Sequence, residues 1–142
     1  MSGTIVLGYD GSESANAALR ETIVRAKRRE AKVVVVFGFS INPLGGTAGG
    51  SIREALERVG SEALERAVAD LEAAGVDVEW RIVEAKPADA LVQVAEEVGA
   101  DTIAVGTVGE NPISGAILGS VVLRLVQRSK IPLLVVPASG DE

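Results

Sequence analysis

The sequence contains no cysteine and no histidine, and each absence removes a class of chemistry. Without cysteine the chain has neither disulfide bonds nor a thiol nucleophile. Without histidine it lacks the commonest general base and metal ligand at neutral pH. Catalytic triads and zinc sites are therefore largely excluded.

Aromatic residues and positive charge are also scarce. Only 3% of the residues are aromatic, so side chains on which nucleobases could stack are few. The 14 basic residues are outnumbered by 20 acidic ones, and the net charge of −6 repels phosphate backbones at long range. We therefore expect no nucleic acid partner.

Long apolar runs are absent as well. No run reaches the roughly 18 apolar residues of a membrane span. The amino terminus, "MSGTIVLGYDG", lacks a basic region followed by a long apolar stretch. We expect a cytoplasmic protein without a membrane partner.

The sequence does contain five short apolar runs rich in β-branched residues. Four of them lack alternation, as strands covered on both faces do, whereas the third alternates and suits an edge strand. Amphipathic helical patterns lie between the runs, the longest from about Ser51 to Ala74. The runs span residues 4–9, 32–39, 76–84, 101–106 and 132–137.

This alternation of strands and helices predicts an α/β fold with parallel strands and helices on both faces of the sheet. The length of 142 residues suits one domain, which we expect to span 1–142. Residues 40–51 contain four glycines and are expected to form a flexible loop. Such sheets bind ligands beyond the carboxyl ends of the strands, where the strand order reverses.

The stretch "GTVGENPISGAILGS" (106–120) joins the fourth run to the last helical pattern. Gly106 and Gly109 allow a tight turn and a close approach to a ligand, which leaves main-chain N–H groups free to donate. Gly119 and Ser120 begin the last helix, whose first amides lack intrahelical partners and suit a phosphate. The residues alone also allow Ser120 to be only a helix N-cap and the glycines to be only turn formers.

The spacing Gly106-x2-Gly109-x9-Gly119-Ser120 resembles the G-2x-G-9x-G-[S/T] signature of the ATP-binding universal stress proteins. The likeness covers nearly the whole chain, from "TIVLGYDGSESANAAL" through "KPADALVQVAEEVGADTIAVGTVG" to "SKIPLLVVP". It implies a Rossmann-like, five-stranded parallel sheet of order 3-2-1-4-5. It also implies an adenine nucleotide at the reversal point and a homodimer formed through strand 132–137.

The resemblance assigns roles to further residues. Asp10 and Ser12 would lie near the ribose or the phosphate-bound cation, where the carboxylate could hold Mg²⁺ through water. Gly38 matches the position whose backbone recognises adenine. The residues alone also allow Asp10 and Ser12 to start a turn and cap the first helix. The predicted nucleotide-binding residues are Asp10, Ser12, Gly38, Val105, Gly106, Gly109, Gly119, Ser120 and Val121.

ATP is the ligand that the resemblance implies, with AMP or ADP as alternatives, because Glu110 stands where many relatives carry a cation and would repel a polyphosphate. We expect Arg124 to pair with a nearby acid. Since no side chain is placed as an evident base, we expect at most slow ATP hydrolysis or autophosphorylation.

The leading hypothesis is a dimeric, nucleotide-dependent sensor or regulator of the stress response that acts on an unidentified protein partner. Two alternatives stay open. One is a dimeric interaction protein that binds no nucleotide. The other is a slow ATP-hydrolysing or adenylating enzyme.

Overall fold

The computed structural model describes residues 3–41, 49–108 and 119–138. In this part of the chain five strands alternate with four helices. The strands are β1 (Thr4–Gly8), β2 (Lys32–Phe39), β3 (Val78–Glu84), β4 (Thr102–Gly106) and β5 (Leu133–Val136). The helices are α1 (Glu13–Arg29), α2 (Gly49–Ala73), α3 (Pro87–Val98) and α4 (Ser120–Arg128).

All five strands are parallel and lie in the order β3-β2-β1-β4-β5, so the predicted α/β fold and its strand order are confirmed. The chain first builds the sheet outward from β1 to β3 and then crosses back to β4. The order therefore reverses beside β1. Among the described helices none has the length and apolar character that a membrane crossing needs.

The sheet separates two apolar cores. Helices α1 and α2 cover one face, where Ile5, Leu7 and Val35 are almost fully buried. Helices α3 and α4 cover the other face, where Val34 and Ile103 are inaccessible to solvent. Both faces of the central strands are covered, which explains why their sequences show no polar alternation.

Strand β3 lies at the edge of the sheet, as its alternating sequence predicts. Val78 and Ile82 pack on the α2 side, and Trp80 shares their face. Trp80 is nevertheless 56% exposed, although the alternation places it on the apolar side. Trp80 is exposed because β3 is an edge strand. In the described part of the chain no strand lies beyond it, so no further helix packs there to cover the ring.

Helix α2 begins at Gly49, inside the segment 40–51 that the sequence predicts as a flexible loop. Residues 42–48 of that segment lie outside the described residues. The helix ends before Gly75, whose positive φ of 80° favours glycine, as the sequence predicts.

Candidate functional site

A cleft opens at the carboxyl ends of β1, β2 and β4, at the point where the strand order reverses. Its volume is about 100 Å³, and it is open to solvent. The cleft therefore lies where sheets of this class bind their ligands. Its lining consists of Gly8, Tyr9, Asp10, Ser12, Ala15, Val36, Phe37, Gly38, Pro87, Leu91, Val105, Gly106, Thr107, Val108, Gly119, Val121 and Val122.

Most of the predicted site residues come together in this cleft. Ser120 is exposed and does not line the cleft, although its two neighbours in the chain do. Gly109 and Glu110 lie outside the described residues. The predicted residues that line the cleft are Asp10, Ser12, Gly38, Val105, Gly106, Gly119 and Val121.

Asp10 and Ser12 form the turn that leads from β1 into α1. Oδ1 of Asp10 accepts a hydrogen bond from the Ser12 N–H at 2.9 Å. Oγ of Ser12 accepts from the Ala15 N–H at 3.1 Å and is the N-cap of α1. The turn and capping roles that the residue types suggest are therefore confirmed. They hold both side chains at the wall of the cleft.

Gly38 lies where α3 packs directly on the end of β2. A Cβ atom at this position would lie 2.8 Å from Cβ of Ala90 and 3.0 Å from Cα of Pro87, so only glycine fits. The Val36 carbonyl accepts from the Tyr9 N–H at 3.1 Å, which shows that Val36 turns its peptide groups toward β1. The N–H and C=O groups of successive residues point to alternate sides of a strand. Those of Gly38, two residues after Val36, therefore point to the same side as those of Val36, beyond the end of β1. Its peptide groups therefore face the cleft.

Gly106 lies where α1 packs on the end of β4. A Cβ atom there would lie 1.9 Å from Oγ of Ser14 and 2.5 Å from the Ser14 carbonyl oxygen. The sequence suggests that this glycine admits a ligand, but its closest neighbour is a helix of the same chain. Ser14 itself carries no motif, and sequence reasoning missed it.

The amides after β4 are less available than the sequence predicts. The Val108 N–H donates to Oγ of Ser14 at 3.2 Å, and the Thr107 N–H donates to the Val136 carbonyl at 3.2 Å. The expectation that these N–H groups are free is therefore wrong. They tie the start of the loop to α1 and β5.

N–H groups without an intrahelical acceptor lie instead at the start of α4. Gly119, and not Ser120, is the N-cap, and no side chain caps the helix. The first helical bond runs from the Leu123 N–H to the Gly119 carbonyl. The N–H groups of Ser120, Val121 and Val122 therefore have no intrahelical acceptor and suit an anion.

The lining carries little charge. Asp10 is the only charged residue among the described lining residues, and none of them is a Lys or Arg. Tyr9 is buried, and its hydroxyl donates to Oδ1 of Asn16 at 2.5 Å. Burial raises the pKa of Tyr9, so its hydroxyl stays neutral at physiological pH. The described residues contain no group of three or more potential metal ligands.

Arg124, one turn into α4, binds α3 and not the cleft. Its Nε lies 3.1 Å from Oδ1 of Asp89, and its Nη2 lies 3.3 Å from Oδ2. Hydrogen bonding from Arg124 lowers the pKa of Asp89. The prediction that Arg124 pairs with an acid is confirmed, so this cation does not offset charge in the cleft.

The fold and the cleft define a doubly wound α/β protein with an open cleft at the point where the strand order reverses. Residues 1–137 match the model of the Universal stress protein family. A universal stress protein of Methanocaldococcus jannaschii is 35% identical over 142 residues, which cover 97% of this chain and 84% of that protein. The chain belongs to the universal stress protein family.

Solved structures share this fold. The structure of the hypothetical protein MJ0577 has the same fold, with a TM-score of 0.88, 24% identity and coverage of 98% of both chains. A universal stress protein crystallised in complex with cAMP has a TM-score of 0.73 and 34% identity, with 96% of this chain and 98% of that chain covered.

Proposed function

We propose that this protein binds an adenine nucleotide in the cleft and acts as a nucleotide-dependent sensor or regulator in a stress response. The observation that carries the proposal is the set of N–H groups of Ser120, Val121 and Val122, which lack intrahelical acceptors. Val121 and Val122 line the cleft, whose surface is mostly apolar. The crystallisation of a 34% identical family member with cAMP supports the same ligand class.

The cleft suggests how the nucleotide would lie. Phe37, Leu91 and Val105 offer apolar surface for the base, beside the peptide groups of Gly38. The start of α4 offers its amides and its helix dipole to the phosphate. Asp10 lies at the ribose end in this pose, and its carboxylate would hold Mg²⁺ through water when the ion enters with the phosphates.

Membership of the ATP-binding subgroup is part of the proposal and follows from the G-2x-G-9x-G-[S/T] spacing. AMP and ADP would use the same amides. The described lining carries Asp10 and no cation. Each additional phosphate charge is therefore stabilised less by the protein than it would be beside a lysine. The titratable groups of the described lining are Tyr9, whose hydroxyl donates to Asn16, and Asp10. No Lys, Arg or His of this described lining stands beside them to stabilise the transition state, which favours binding over rapid hydrolysis.

We also propose a homodimer through the last strand, within residues 132–137. Strand β5 lies at an edge of the sheet, so a second copy could pair with it about a twofold axis. On the adjoining α4, Leu123 is 53% exposed and Val126 63% exposed. A partner protein would then detect the nucleotide through changes at this dimer surface.

The test is calorimetry with AMP, ADP, Mg-ATP and cAMP on the wild type and on Val121→Asp. An acidic residue in the first turn favours the helix, so this variant should fold, but its carboxylate would oppose a phosphate. We expect wild-type binding and an affinity loss of about tenfold or more in Val121→Asp. Val121→Asn, which has the same shape without the charge, is the matched control.

Thermal unfolding followed by circular dichroism checks that both variants remain folded. Native mass spectrometry of the purified wild type shows any nucleotide that has been retained. The proposal fails if the purified protein retains no adenine nucleotide and none of the four nucleotides produces binding heat. Equal affinity in Val121→Asp and Val121→Asn would contradict the placement of the phosphate.

A further inference from the structure

Strand β3 forms the edge of the sheet opposite β5, and the described part of the chain places no strand beyond it. The Val33 N–H donates to the Asp77 carbonyl at 2.9 Å, so Asp77 turns its peptide groups toward β2. The N–H and C=O groups of successive residues point to alternate sides of a strand. The N–H and C=O groups of Val78, Trp80 and Ile82 therefore point outward, where a further strand could bind them.

Trp80 lies beside this open edge. It is the only tryptophan of the sequence, and 56% of it is exposed. It lines an open groove of about 490 Å³ whose other wall is the outer side of α2, from Arg58 to Glu72. A large exposed aromatic side chain next to unpaired strand edges is typical of an interaction surface.

Charges of opposite sign flank Trp80 on the other face of the strand. Glu79 contacts Lys32, and its Oε1 lies 3.9 Å from Nη2 of Arg81. Arg81 also bonds Glu97 at 3.1 Å. The Glu79 and Arg81 side chains remain 45% and 38% exposed, so both are available to a second molecule.

We propose that the β3 edge binds the β3 edge of a second copy of this chain, antiparallel, about a twofold axis through Trp80. In this register Trp80 lies opposite its own copy and Val78 lies opposite Ile82, so all the outward peptide groups form ladder hydrogen bonds. Glu79 of each copy then lies opposite Arg81 of the other copy. These are non-hydrogen-bonded positions, where opposite Cα atoms approach to about 4.5 Å.

Charge selects this register over its neighbours. An axis through Glu79 would place two glutamates opposite each other, and an axis through Arg81 would place two arginines opposite each other. Like charges that face each other across a ladder are destabilising. With the axis through Trp80 both charged positions are instead complementary, and a slip by one residue would also reverse the faces of the strand.

The charges along the groove are also complementary to those of a second copy related by the same twofold axis. The axis passes near the middle of the α2 stretch that faces Trp80, so Arg58 of one copy approaches Glu72 of the other. Because α2 covers β2 and β3, the two α2 helices would lie about 10 Å apart, which is a normal packing distance. Both Trp80 side chains would be enclosed between them.

This interface is independent of the nucleotide cleft and lies at the opposite edge from β5. Its formation therefore does not compete with pairing at β5. Copies that pair at β3 form an isologous contact, because both copies use the same surface. If one residue contacts a second residue across the interface, the symmetry-related copies of these two residues are also in contact.

The fluorescence of the full-length protein tests the proposal, because its single tryptophan reports on this edge alone. We expect the emission of Trp80 to shift to shorter wavelength as concentration rises, in step with one step of the association measured by sedimentation. Pairing at β5 leaves Trp80 exposed and should not shift its emission. Glu79→Arg and Arg81→Glu each turn two attractive cross-strand pairs into repulsive ones. Each should raise the dissociation constant about tenfold.

The double variant Glu79→Arg/Arg81→Glu restores opposite charges and should restore association. Glu21→Arg, which makes the same charge change on the exposed side of α1, is the matched control and should leave association unchanged. Emission that stays constant at every concentration would overturn the proposal, since any association would then occur elsewhere, as at β5. A double variant as weak as the single ones would also overturn it.

Discussion

Replacing Gly106 with alanine should destabilise the protein strongly, and the reason lies in packing and not in ligand binding. The new Cβ would lie 1.9 Å from Oγ of Ser14 and 2.5 Å from both the carbonyl carbon and oxygen of Ser14. A side-chain rotation can move the hydroxyl but not the backbone atoms, so α1 itself must shift. Overpacking of this kind costs about 1–3 kcal/mol, and we expect about 3 kcal/mol here.

Urea unfolding followed by circular dichroism measures this loss, because Trp80 is already largely exposed and would be a weak probe. A loss of about 3 kcal/mol corresponds to a fall in melting temperature of about 10 °C for a domain of this size. Gly75→Ala is the control. Its Cβ would meet nothing within 4 Å, and its φ of 80° adds only backbone strain of about 1 kcal/mol.

A second variant separates the hydroxyl from the backbone. Ser14→Ala in the Gly106→Ala background removes the Oγ contact but leaves the contacts with the Ser14 carbonyl group. We therefore expect less than half of the lost stability to return. A Gly106→Ala protein within about 0.5 kcal/mol of the wild type would refute the claim that α1 occupies this space.

Three further predictions concern stability. Ser12→Ala removes the N-cap of α1 and should cost about 1 kcal/mol in urea unfolding. Ser14→Ala leaves the Val108 N–H without its acceptor and should cost about 1–3 kcal/mol, with faster amide exchange at Val108. Since the chain has no His or Cys, the free energy of unfolding should stay constant between about pH 5.5 and 8. Hydrogen bonds from Arg124 and Arg53 lower the pKa values of Asp89 and Glu84, so the stability these acids give is present above their ordinary pKa values and should be lost below about pH 4.

Most of the fold could be predicted from the sequence because apolar runs and helical spacing depend on local patterns. The edge position of β3 follows from its alternation, and the end of α2 follows from Gly75. The exposure of Trp80 could not be predicted, because periodicity shows which face a side chain shares but not how far the covering helix extends over an edge strand.

The position of the cleft could be predicted from the sequence, but its hydrogen bonds could not. Residues from three separate loops converge in one cleft because parallel strands end at the same edge of the sheet. The role of Ser14 could not be predicted, since it depends on a contact across 94 positions of the chain. Gly106 illustrates the difficulty, because a glycine required by a neighbouring helix and one required by a ligand look identical in sequence.

Helix α4 is only nine residues long, so it extends about 13 Å from end to end. Its first turn carries the N–H groups that lack intrahelical acceptors, and the chain enters β5 shortly after its last turn. A stiff rod this short has little capacity to bend. A tilt of its first turn would therefore also move its last turn, which four residues separate from the outermost strand.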